Sequence, residues 1–81
     1  MKVRAHVLIS GAVQGVFFRA RIHELALMLD VKGWVRNLEE GKVEAVFEGE
    51  KGDVDRIIDF CKRGPSGARV IDFKLYWEEF K

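Results

Sequence analysis

The stretch Gly11-Ala-Val-Gln-Gly-Val-Phe-Phe-Arg19 carries the residue types that recognise a phosphate or a carboxylate. Gly11 and Gly15, four apart, let the backbone turn sharply and let amide groups approach a ligand without side-chain obstruction. The segment that follows has helical spacing, and the start of a helix offers unpaired N–H groups and a partial positive charge. Arg19 adds a planar, permanently charged fork suited to two oxygens of one anion. A cradle of amides plus one arginine is the chemistry of phosphate recognition.

Alternating and helical patterns define the elements that must position this stretch. Val3 to Ser10 alternates, with Val3, Ala5, Val7 and Ile9 on one face and Arg4, His6, Leu8 and Ser10 on the other, which predicts a half-buried strand with His6 as a solvated strand histidine. Ile22, Leu25, Ala26 and Leu29 mark a first helix ending near Asp30, with Leu27 and Met28 as further packing residues. Lys32 to Asn37 is a second strand, Glu39-Glu40-Gly41 a turn, and Lys42 to Glu48 a third strand closed by Gly49, with Val43, Ala45 and Phe47 inward. Asp53 is the expected N-cap of a second helix whose buried stripe is Val54, Ile57, Ile58 and Cys61, and Gly64-Pro65 stops it. In the last strand, Arg69 to Glu78, Ile71, Phe73, Leu75 and Trp77 point inward, and Trp34 and Trp77 serve packing. The order β-α-β-β-α-β, with a weak echo between its halves, predicts an α+β ferredoxin-like sandwich, two helices on one antiparallel sheet.

The totals narrow the function classes. Eighty-one residues, 48% of them hydrophobic, make one domain, 1–81, with a compact core. The formal charge is +1 and no run of Lys or Arg forms a stripe, which argues against nucleic acid as a partner. Neither a signal-peptide pattern nor an apolar run of membrane-spanning length is present. A single cysteine fits a reducing cytoplasm, and no cluster has metal-ligand spacing. Cys61 reads as a small buried apolar residue, since no basic cluster or histidine is placed to activate it.

A β-α-β unit returns its strands parallel, so the first and second strands end at the same edge of the sheet. With one strand between them the separation is about 10 Å, twice the inter-strand spacing. Asn37, at the end of the second strand, therefore faces the phosphate cradle as a polar, uncharged group.

These residues resemble the acylphosphatase family. Its first signature is present as Gly11-Ala-Val-Gln-Gly-Val-Phe-Phe-Arg19, its second as Gly33-Trp-Val-Arg-Asn-Leu-Glu-Glu-Gly-Lys-Val-Glu44, and the turn Gly64-Pro65 before the last strand is also similar. The resemblance implies hydrolysis of the carboxyl-phosphate anhydride of small acyl phosphates by metal-independent in-line attack of water, without a cofactor. It implies that Arg19 binds the phosphoryl group together with loop amides from Gln14, Gly15, Val16, Phe17 and Phe18, and that Asn37 orients the water. Inorganic phosphate would be product and competitor. The chain departs from the family at Glu40-Gly41, where Asp-Gly or Asn-Gly is expected, and at Ile22, where a hydroxyl residue is common. It stops at Lys81, where the family usually continues into one more strand. Lacking that strand would leave an edge unpaired, so a monomer or a strand-exchanged dimer is expected. A second class fits the same cradle: a ferredoxin-like module that binds phosphate or another anion without turnover. An RNA-binding sheet does not fit, because the outward positions Arg4, His6, Leu8, Lys42, Glu44, Val46 and Glu48 carry no aromatic.

Overall fold

A computed structural model describes residues 1–15 and 17–80. The element order is β1 (Lys2–Ala12), α1 (Phe18–Met28), β2 (Lys32–Asn37), a single 3-10 turn (Glu39–Gly41), β3 (Val43–Glu50), α2 (Lys51–Arg63) and β4 (Arg69–Glu78). The strands lie in the order β2-β3-β1-β4, every neighbouring pair antiparallel. This is the expected ferredoxin-like sandwich. Period-two burial builds its sheet: Ala5, Val7 and Ile9 of β1 and Val43, Ala45 and Phe47 of β3 are buried on one face. Both helices cover that face, α2 through Val54, Ile57, Ile58 and Cys61, and α1 through Phe18 and Ile22. Burial pushes the Cys61 thiol up to about 12, so it is an inert core group.

Several expectations need correction. Ile71 does not point inward; it is 74% exposed, and Val70 packs against the core instead. The register explains this, because Ser10 pairs with Asp72 but Gly11 pairs with Val70, so Ile71 is the extra residue of a β-bulge and the alternation changes phase there. Gly11 makes the bulge possible: its φ is +133°, and a Cβ at this position would run into the Arg69 carbonyl. Asp53 is not the N-cap. The helix begins at Lys51, with Glu50 in the cap position, and Asp53 lies within the first turn, where its charge favours the helix start. Gly49 does not close β3, which runs on through Glu50. Leu27 and Met28 are exposed rather than packed, since they fall off the stripe formed by Ile22, Leu25 and Ala26.

The other face of the sheet is open and carries a lattice of charges. His6 is half-buried there, its Nε2 2.7 Å from Glu44 Oε2 and its Nδ1 3.1 Å from Glu78 Oε2. Arg36 Nε donates to Glu44 Oε1 at 2.7 Å, and Arg4 bridges Glu78 and Glu48. Val46 is buried on this face between its register partners His6 and Trp34. His6 and then Arg36 hold the Glu44 carboxyl below the usual range, and Arg4 and then His6 do the same for Glu78.

A carboxyl whose folded pKa is depressed adds stability above its unfolded value, and that stability disappears as pH falls through the folded value. Thermal unfolding followed from pH 7 to pH 2 is therefore expected to show stability falling below the ordinary carboxylate range, about pH 4. Replacing Glu44 and Glu78 by Gln should flatten that fall; an unchanged slope would count against the lattice. Glu40 provides a second test, because it sits at φ 64° and ψ 22°, in the left-handed region. Glu40→Asn should raise stability by about 0.5–1 kcal/mol, read as a higher Tm.

Candidate functional site

Three contacts hold the Gly11–Arg19 segment in place. Val13 is buried just beyond β1. Phe18, the first residue of α1, is buried against Phe60 of α2, ring centroids 6.1 Å apart and 62° between planes. Truncating such a ring would cost about 3–5 kcal/mol, so Phe18 fixes where α1 begins. The third point is Gln14. Its side-chain Nε2 donates to the carbonyl oxygens of Leu38 and Lys42, both at 2.9 Å, and Lys42 O also accepts from the Leu38 amide at 2.7 Å. The loop is thereby tied to the turn that follows Asn37.

The two glycines of the motif have different uses. Gly11 serves the contact with β4, not a ligand. Gly15 has φ +74°, with nothing within 4 Å of a Cβ placed there, so the left-handed backbone rather than space requires glycine. Phe17 takes the same region, φ 60° and ψ 23°, without glycine's freedom, a strain on the order of 1–3 kcal/mol. It occupies the N-cap position of α1 but makes no side-chain cap, and the first turn holds no acid. Among the described residues the leading amides of α1 thus have no side-chain cap, an arrangement that suits an anion.

A cleft of about 260 Å³ is lined by Val13, Gln14, Gly15, Phe17, Phe18, Arg19, Ala20 and Asn37. The structure thus brings Gln14, Gly15, Phe17, Phe18, Arg19 and Asn37 together; Val16 lies outside the described residues. Arg19 is exposed and, among the described residues, pairs with no carboxylate. Asn37, the last residue of β2, lies across β3 from β1, as the topology requires. Among the described residues no carboxylate or imidazole lines the cleft. Ile22, noted as a departure from a hydroxyl residue, is a core residue and does not reach it. A larger groove of about 420 Å³ between α1 and β2 is mainly apolar and has no amide cradle, so the smaller cleft is where the chemistry converges. Sequence reasoning counted Gln14 among the amide donors and missed the use of its side chain; a glutamine flanked by Val13 and Gly15 gave no local signal of a partner 24 residues away.

The acylphosphatase family model matches residues 5–81. The chain belongs to the acylphosphatase family. An acylphosphatase of Chloroflexus aurantiacus is 56% identical over 77 residues, covering 95% of this chain and 84% of that protein. Among solved structures, an acylphosphatase from Coxiella burnetii superposes with a TM-score of 0.91 at 35% identity, covering 99% of this chain and 84% of the other. An acylphosphatase from Bacillus subtilis gives a TM-score of 0.91 at 26% identity, covering 98% and 88%.

Substituting Gln14 by Leu should free the turn after Asn37 and leave the Leu38 carbonyl without its side-chain donor, while Lys42 O keeps the Leu38 amide, at a cost of about 1–3 kcal/mol. The expected outcome is a lower Tm and a kcat reduced on the order of tenfold, with competition by inorganic phosphate kept. Full activity in the variant would show that the tie does not position Asn37.

Proposed function

We propose that this chain hydrolyses the carboxyl-phosphate anhydride of small acyl phosphates, with Arg19 and the loop amides binding the phosphoryl group and Asn37 orienting the attacking water. The observation that carries the reading is one cleft holding a family signature loop, an arginine without a carboxylate partner among the described residues, and Asn37 from a separate strand. Water attacks phosphorus in line with the leaving oxygen. The new P–O bond forms as the bond to the acyl oxygen breaks, the carboxylate departs with the electron pair, and the water's protons pass to phosphate and solvent. A carboxylate is a stable anion at neutral pH, so the leaving group needs no strong acid. Catalysis then consists of positioning and of stabilising charge on the equatorial oxygens, which amide donors and a guanidinium supply.

The same reading makes turnover metal-independent, and inorganic phosphate both product and competitor. No helix among the described residues is long and apolar enough to cross a membrane, and the free, buried Cys61 fits a reducing cytoplasm. A non-catalytic anion-binding module would use the same cradle but has no need of Asn37.

Hydrolysis of acetyl phosphate in EDTA tests the proposal. Arg19→Gln is expected to lose on the order of a thousandfold in kcat/KM together with inhibition by phosphate. Asn37→Ala should lose about a hundredfold in kcat yet still be inhibited by phosphate. Loss of phosphate inhibition in both variants would overturn the division of roles, and phosphate binding without turnover in the unmodified chain would favour the binding module.

A further inference from the structure

A second depression of about 300 Å³ adjoins the cleft and is lined by Phe17, Ala20, Arg21 and Glu24. Ala20, Arg21 and Glu24 neighbour one another on the first two turns of α1 and Phe17 stands at its N-cap position, so the depression runs along the exposed flank of α1 away from its N-terminus. Phe17 and Ala20 also line the phosphate cleft, which makes the two spaces continuous. The Phe17 ring is 78% exposed although its backbone is held in the left-handed region. A large aromatic side chain kept in a strained conformation and facing solvent does nothing for the core. One turn further on, Arg21 Nη1 donates to Glu24 Oε1 at 3.2 Å, so the charges bordering the groove satisfy each other.

We infer that this groove receives the acyl group of the substrate and that Phe17 determines specificity for apolar, aromatic acyl phosphates. The inference rests on the hydrolysis proposed above. In an acyl phosphate the acyl carbon is one oxygen from phosphorus, so a phosphoryl group at the start of α1 delivers the acyl group to the adjoining space. The first surfaces met there are the Phe17 ring and the Ala20 methyl. An aromatic acyl group stacks on the former and is not obstructed by the latter. A carboxylated acyl chain would meet Glu24 as well as Arg21, so the groove offers it no net positive charge.

The test compares kcat/KM for benzoyl phosphate and acetyl phosphate in the unmodified chain, Phe17→Ala and Phe17→Gly. Any disturbance of the phosphate cradle acts on both substrates and cancels in the ratio. Phe17→Gly also removes the backbone strain, so it keeps the comparison available if the alanine variant folds poorly. The expected result is a preference for benzoyl phosphate that drops roughly three- to tenfold in both variants. On the unmodified chain, benzylphosphonate should compete more tightly than methylphosphonate by a similar factor. An unchanged ratio, or equal competition by the two phosphonates, overturns the inference while leaving the hydrolase reading intact. Turnover of neither substrate by the unmodified chain overturns both.

Discussion

A buried central strand that feeds directly into a helix leaves a length of backbone with no neighbouring strand to bond, and the cleft is built from that constraint. β1 is paired on both sides, to β3 and to β4, until its ladder ends at Ala12. α1 begins at Phe18. Between them the chain must reverse without a ladder partner on either side. Val13 and Phe18 anchor the two ends in the core, and Gln14 satisfies the carbonyls of the facing turn. The cleft lined by Gln14, Gly15, Phe17, Arg19 and Asn37 lies where that ladder stops, so its place follows from the strand order rather than from any one side chain.

The two faces of the sheet are held by different physics. The helix-covered face is apolar, and its cohesion involves no carboxylate, lysine, arginine or histidine. On the open face, alternating charges from four strands meet in partly hydrated pairs, among them Arg36 with Glu44 and Arg4 with Glu78. Such pairs add little individually, but they fix cross-strand neighbours and are sensitive to acid and ionic strength. The cleft belongs to neither face. It lies at the edge where β1 and β2 end, so both faces must be in register for Asn37 to stand opposite the loop.

Most of the fold was legible in the sequence because its signals are periodic and local. The bounds of β2 and β4, the buried stripe of α2 and the stop at Gly64 coincide with the patterns that predicted them. Misreadings occur where a distant partner decides. Ile71 fits the alternation, and only pairing with Gly11 across the sheet displaces it. Asp53 is a good capping residue, yet α2 starts directly from the end of β3, two positions earlier. At the site, Arg19 and Asn37 were legible because side-chain chemistry and chain topology point to them independently. Gln14's side chain and the exposed ring of Phe17 were not, because a tie between two loops and a left-handed φ leave no trace in composition or period.

The pairing of β1 has a consequence in time. Its neighbours are β3 and β4, and the ion pair between Arg4 and Glu78 joins residues 74 positions apart. During synthesis β1 precedes both helices, and β4, made after both of them, completes its ladder. One edge of β1 therefore stays unpaired until β4 has been made, and long-range closure of this kind is slow. The loop after β1 packs through Phe18 onto α2, so Phe18 lacks its partner until that helix has been made, and the cleft is finished only late in the folding of the domain.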